Sequence, residues 1–207
     1  MSAKNAIAGN GLKVVFPEGG DERILKAAAL LRDEDLAVPI LLWSSGTNPE
    51  DVARGCGIST DGMEISHVSA RPNKELLSGT MVQLKPELGQ DDLAAFLEEP
   101  LYVAGCMVAV GDADAMIAGA VSSTANVISA GLRTVGMGAD HKRLSSYFLM
   151  CPSDCASPSQ SSKHLIFADC AVNIDPDAEQ LCEITIASAA SGARLLNEDR
   201  NLEELHR

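Results

Sequence analysis

Two short segments of this chain combine polar side chains with a turn that would present them. In FADCAVNIDPDAEQL, Phe167 to Leu181, an apolar run stops at Asp169-Cys170, a polar turn carries Asn173, and Pro176 opens a helix. A thiol and two polar side chains so fall where a strand ends and a helix begins, the place where open α/β sheets bind ligands. The second segment, Ser122-Ser123-Thr124-Ala125-Asn126, also lies between a strand and a helix. Its hydroxyls, its amide and the N–H groups of a helix start suit a phosphate or an acyl oxygen. Simple N-capping by Ser or Thr accounts for one of these residues but not for all of them.

Other residues carry less. A free cysteine such as Cys170 is more often a small buried hydrophobe than a reactive group. Asp175, Asp177 and Glu179 around Pro176 match the preference for proline and acids in a first helical turn, and stabilise a helix rather than catalyse. Pro17-Glu18-Gly19-Gly20-Asp21-Glu22-Arg23 is neither GxGxxG nor a P-loop, so by its own chemistry it is a turn with a cap. His67, His141, His164 and His206 have no triad partners at a recognisable spacing, and no Gly-x-Ser-x-Gly element occurs. Cys151 and Cys155 with His164 lack a fourth zinc ligand.

The elements that must position these residues alternate. Lys13 to Phe16 reads as a strand, and Asp21 caps a helix with Ile24, Leu25, Ala28 and Leu31 at helical spacing. Val38 to Trp43 is a second strand, Pro49 to Cys56 a short helix and Met63 to Val68 a weak third strand, an alternation that indicates a parallel sheet. Helical pieces fill Asn73 to Val110, the last of them apolar on nearly every face and so buried. A buried strand over Ala113 to Ala120 leads into a helix ending near Val135. Leu144 to Met150 and Leu165 to Ala168 are strands separated by a Ser/Pro-rich loop, and a long helix covers Pro176 to Leu196. The turns at Thr124 and Cys170 are expected at strand ends of one shared parallel sheet. The glycines and charges of Gly136 to Arg143 suggest a boundary, giving a first α/β lobe over 1–138 and a partial second lobe over 139–207.

At 207 residues and 46% hydrophobic, the chain can bury a substantial core. The net charge of −13 argues against nucleic acid as a partner, because phosphate backbones are bound by clustered Lys and Arg. No apolar run reaches membrane-spanning length and the N-terminus lacks the apolar core of a secretory signal, so no membrane association and a cytoplasmic location are expected. Six cysteines without framework spacing read as reduced thiols.

Three separated motifs, PEGGDERILKAA, AGAVSSTANVI and FADCAVNIDPDAEQL, occur in an order that resembles the phosphate acetyl/butyryl transferase family. The resemblance implies a parallel-sheet α/β/α fold like that of isocitrate and isopropylmalate dehydrogenases, with a complete first lobe, a partial second lobe and a site between lobes. It implies reversible acetyl transfer between coenzyme A and inorganic phosphate, both substrates, with no cofactor and no nicotinamide, in a homodimer. By the same likeness Ser123, Thr124, Asn126, Cys170, Asn173, Arg23 and Arg133 bind substrate. Cys170 would lie near the coenzyme A thiol without acting as a nucleophile, and Arg23 would hold anionic groups.

The chain departs from the family pattern in three places. Ser129 stands where many members have an arginine, with Arg133 one turn further along as a partial substitute. Lys85 replaces a family arginine and loses the planar fork. The serine-rich turn with its basic residue and aspartate, proposed as general base in the family, would lie beyond Arg207, so impaired transfer is expected. The alternative is a non-catalytic acetyl-coenzyme A-sensing or oligomerising module, like the one appended to malic enzymes. A dehydrogenase is disfavoured because no dinucleotide fingerprint accompanies the fold likeness.

Overall fold

The computed structural model describes residues 4, 7–70, 79, 94–138, 142–150 and 165–195. Apart from Gly79, the stretch expected to be helical from Asn73 to Leu93, with Lys85, lies outside the described residues, as do His141, Cys151, Cys155, His164 and His206. The chain falls into two compact units, Met1–Gly136 and Met137–Arg207.

The first unit is built on a four-stranded parallel sheet of order β3-β2-β1-β4, with β1 Lys13–Phe16, β2 Val38–Trp43, β3 Glu64–His67 and β4 Ala115–Met116. Successive residues of a strand face opposite sides, and this alternation divides the core. Val15, Ile40 and Leu42 pack on one side with Val103, Cys106 and Met107 of helix α3 (Pro100–Val110). Phe16 and Leu41 pack on the other with Ile24, Leu25 and Ala28 of α1 (Glu22–Asp33) and Ala53 of α2 (Pro49–Cys56). Two layers of helix around one sheet is the α/β/α arrangement expected.

The caps follow from the residues before each helix. Asp21 accepts from the Arg23 N–H at 2.8 Å at the start of α1, and Asn48 from Glu50 N–H at 2.9 Å at the start of α2. Each such cap contributes about 1 kcal/mol. Helix α3 is buried at Leu101 and from Val103 through Met107, as its all-round apolarity predicts, and burial pushes the Cys106 thiol up to about 12, so it stays protonated. Helix α4 (Thr124–Thr134) crosses it.

The strand expected over Ala113 to Ala120 is shorter and more open than its apolar sequence suggests. Only Ala115 and Met116 pair, at the edge of the sheet beside β1, and Ile117 is exposed. Beyond them Gly119 adopts φ of +106°, which ends extended pairing.

The second unit holds β5 (Tyr147–Met150) and β6 (Leu165–Ala168), paired antiparallel, followed by α5 (Ala178–Leu195). The shared parallel sheet expected for both turns is therefore wrong: the strand before Cys170 belongs to a separate, antiparallel sheet. A parallel neighbour requires a crossover, usually helical, of a dozen or more residues. The Ser/Pro-rich sequence joining β5 to β6 has no helical periodicity to make one. Ile166 packs against Gly192 of α5, so the opposite face of the hairpin carries Phe148, Met150, Leu165 and Phe167, with Phe148 59% and Phe167 53% exposed.

Candidate functional site

In the first unit the site is built where β1 and β4 end side by side. Beyond β1 the chain turns through Pro17–Gly20 into α1, and beyond β4 it turns through Gly119–Ser122 into α4. The two turns are joined by Glu18. Its Oε2 accepts from the N–H groups of Gly119 at 3.0 Å and Ala120 at 2.8 Å, and its Oε1 from those of Val121 at 3.1 Å and Ser122 at 2.6 Å. Four consecutive amides around one anion form a backbone nest. Partial burial works against the charged carboxylate, but the backbone and hydroxyl of Ser122 and the amides of Ala120 and Val121 outweigh it and hold Glu18 below the ordinary carboxylate range.

Arg23 closes the same junction from the side. Its guanidinium donates through both Nε (3.0 Å) and Nη2 (2.9 Å) to the two oxygens of Asp21, and through Nη2 to the Ala120 carbonyl at 2.6 Å. The guanidinium lowers the Asp21 carboxyl to about 2. Residues of both turns also line a shallow cavity of about 210 Å³ with Trp43, Ser44, Ser45 and Thr47 at the end of β2.

Ser123 then caps α4, its Oγ accepting from Asn126 N–H at 3.3 Å. The N–H groups of Thr124 and Ala125 have no intrahelical acceptor, as at the start of any α-helix. Ser123, Thr124 and Asn126 are exposed. This end of the helix thus offers two amides, a threonine hydroxyl and an amide side chain to an incoming oxygen.

Arg133 lies elsewhere. It is in the last turn of α4, roughly 15 Å along the helix from Ser123 by the rise per residue. It donates to Tyr102 Oη at 3.3 Å and stacks over the Phe96 ring at 5.5 Å. His67 is likewise engaged, with Ser69 Oγ at Nδ1 and the Ser44 carbonyl at Nε2.

In the second unit the turn after β6 is organised by Asp169. Its Oδ1 accepts from the Ser146 N–H (2.8 Å) and hydroxyl (2.6 Å), and its Oδ2 from the Asn173 N–H (2.6 Å) and Nδ2 (2.7 Å). Burial opposes the charge, yet these hydrogen bonds from Ser146 and Asn173 hold its carboxyl well below the usual value. Asn173 also donates from Nδ2 to the Leu144 carbonyl at 3.1 Å, so its amide is committed to shaping the turn. Cys170 is half-buried, and its thiol donates to the Phe167 carbonyl at 2.9 Å. Ser146 Oγ accepts from the backbone N–H groups of Cys170 and Ala171.

The structure brings Arg23 to the turn that leads into Ser123, Thr124 and Asn126, and gathers Cys170 and Asn173 around Asp169 in the other unit. Sequence reasoning missed Glu18, Ser146 and Asp169 as organisers. No sequence signal marked Glu18, since its partners are backbone amides about a hundred residues away. Among the described residues no cluster of His, Cys, Asp or Glu is arranged to hold a metal ion, and no described helix is long and apolar enough to cross a membrane.

Comparison with known proteins places this geometry. The profile of the phosphate acetyl/butaryl transferase family matches residues 2–202. The phosphate acetyltransferase of Nitratidesulfovibrio vulgaris is 33% identical over 192 residues, 92% of this chain and 26% of that protein. That of Acetivibrio thermocellus is 32% identical over 180 residues, 86% of this chain and 53% of that protein. Among solved structures, EutD phosphotransacetylase from Staphylococcus aureus superposes with a TM-score of 0.80 at 28% identity, covering 91% of this chain and 55% of the other. A phosphotransacetylase from Streptococcus pyogenes gives 0.82 at 30% identity, covering 96% and 60%. The chain spans between about a quarter and about half of the length of the curated relatives it matches. With the profile covering nearly its whole length and the α/β/α architecture shared, the chain belongs to the phosphate acetyl/butaryl transferase family.

Proposed function

We propose that the chain serves reversible acetyl transfer between coenzyme A and inorganic phosphate, acetyl-coenzyme A + phosphate giving acetyl phosphate + coenzyme A. In the acetyl phosphate direction of attack, the coenzyme A thiolate adds to the acyl carbon and the carbonyl oxygen takes up negative charge. Phosphate then leaves with the electrons of the broken C–O bond, and no covalent enzyme intermediate forms. The observation that carries this reading is the anchored start of α4, where Thr124 and Asn126 side chains and the first helical amides stand exposed on a turn locked by Glu18 and Arg23. Fixed donors of this kind stabilise a developing oxyanion without having to reorganise.

Cys170 is assigned to the coenzyme A side of the reading as a neighbour of the substrate thiol, with Asn173 holding the turn that carries it. Arg23 contributes charge while remaining bonded to Asp21; Arg133, held by Tyr102 and Phe96 in the last turn of α4, takes no part in this reading. No cofactor beyond the two substrates belongs to the proposal, which includes a cytoplasmic homodimer with no nucleic-acid partner. The net charge of −13 supports the last point, and the exposed apolar face of the β5–β6 hairpin supports self-association. The relatives carry an enzyme's name, which favours transfer over a sensing module.

The two carboxylates at the turns, Glu18 and Asp169, are both stabilised in the ionised form and so are poor proton acceptors for a thiol. The purified chain should therefore bind coenzyme A, seen by calorimetry, yet show little transfer from acetyl phosphate in a thioester assay. Absence of coenzyme A binding refutes the reading. Rapid turnover by the pure chain refutes the claim that the described turns hold no base.

A further inference from the structure

We propose that Glu18 is a positioning residue for the substrate turn, a carboxylate that holds Gly119–Ser122 in the conformation from which Ser123, Thr124 and Asn126 are presented. This rests on the reading of those three residues as substrate-binding. All four bonds come from consecutive amides, two to each carboxylate oxygen, between 2.6 and 3.1 Å. A turn with Gly119 at φ of +106° has no local side chain to satisfy these donors, and the partner that does so is about a hundred residues away in sequence. Arg23 holds the outward-facing carbonyl of the same turn, at Ala120. Amide and carbonyl sides of one four-residue stretch are thus both pinned, immediately before the cap of α4.

The nest has a second consequence. Consecutive backbone amides are an anion site, and here the protein's own carboxylate fills it. A substrate phosphate or oxyanion must then be met by the residues after the nest, beginning at Thr124.

Calorimetric titration with inorganic phosphate, alongside thermal unfolding, tests the proposal on the full chain. Glu18→Gln puts two amide hydrogens where two backbone N–H groups point, and Glu18→Ala empties the nest. Both should lower phosphate affinity by about ten- to a hundredfold in folded protein, the size of losing a hydrogen bond to a charged group. Added formate should restore much of the affinity of Glu18→Ala and leave the wild type unchanged, because a free carboxylate can enter the vacated nest. Full affinity in folded Glu18→Gln overturns the proposal, and so does a loss that formate does not restore, which would assign the effect to packing of the side-chain stem. A wild-type chain that binds no phosphate overturns the reading of Ser123, Thr124 and Asn126 itself, and the proposal falls with it. If neither variant folds, Glu18→Asp keeps the charge with a shorter reach. It should shift the amide resonances of Gly119–Ser122 and weaken binding together, and shifted amides with unchanged affinity overturn the proposal.

Discussion

Replacing Gly105 by alanine should destabilise the first unit, although alanine is the better helix former. Gly105 lies in the buried centre of α3, and a Cβ there would stand 2.1 Å from Thr134 Oγ1, 3.0 Å from its Cβ and 3.3 Å from its Cγ2. Thr134 is fully buried and cannot swing freely, since it is β-branched and its hydroxyl donates to the Ala130 carbonyl at 2.8 Å. Alanine gains about 1 kcal/mol in helix propensity, whereas overpacking a dense core costs about 1–3 kcal/mol. The upper part of that range applies because the obstruction includes the threonine Cβ, which moves only with the backbone of α4. The net loss is about 1–2 kcal/mol, or a fall of roughly 2–8 °C in midpoint for a chain of this size. Thr134→Ala removes Oγ1 and Cγ2, the contacts at 2.1 and 3.3 Å, and keeps the Cβ at 3.0 Å, so in that background Gly105→Ala should cost clearly less than in the wild type. Circular dichroism melts of the two single variants and the double variant read the coupling. Additivity within about 0.5 kcal/mol, the scatter of independent sites, or a stabilised Gly105→Ala single variant, would refute the close-approach account. Because α4 carries Ser123, Thr124 and Asn126 at its other end, the same variant should also weaken phosphate binding.

Two other outcomes are expected. Glu18, Asp21 and Asp169 all have carboxyls held below their ordinary values, Asp21 to about 2; such groups stabilise the fold fully above the unfolded carboxylate pKa of about 4 and lose that contribution as pH falls through the folded value. The unfolding midpoint should therefore drop as pH is lowered from about 5 toward about 2, and a flat profile in that range contradicts the hydrogen-bond assignments. Alkylating Cys170 should hinder coenzyme A binding by bulk while Cys170→Ser, which keeps a donor toward the Phe167 carbonyl, still binds; loss of binding in folded Cys170→Ser would mean that proximity is the wrong account.

Much of the fold could be read from residue pattern because it is locally determined. The apolar runs of β1 and β2 alternate into two core faces, and Asp21, Asn48 and Ser123 cap helices through bonds that span two or three residues. Pairing sense was not legible in the same way: Leu165–Ala168 is as apolar in an antiparallel hairpin as in a parallel sheet, and only the sequence between β5 and β6 separates the two. The openness of β4 was hidden for a related reason, since Ala115 and Ile117 look buried until the sheet is known to end beside them. The candidate residues at the start of α4 were found because helix starts have a chemical signature. Glu18 was not, because its role depends on amides supplied by residues 119–122, and backbone amides leave no mark in a sequence.

The separation of Glu18 from its nest also sets an order of events during synthesis. The carboxylate leaves the ribosome with β1, but the last amide it binds belongs to Ser122, 104 residues later. At about 5–20 residues per second, that interval is roughly 5–20 seconds, during which the nest that holds Glu18 in the folded protein does not yet exist. Closing so long a loop adds little further entropy per residue, but it cannot begin before both ends exist. Since α4 follows the nest in sequence, the turn that leads into it can be fixed only once β1 and Ser122 have both emerged, late in the synthesis of the first unit.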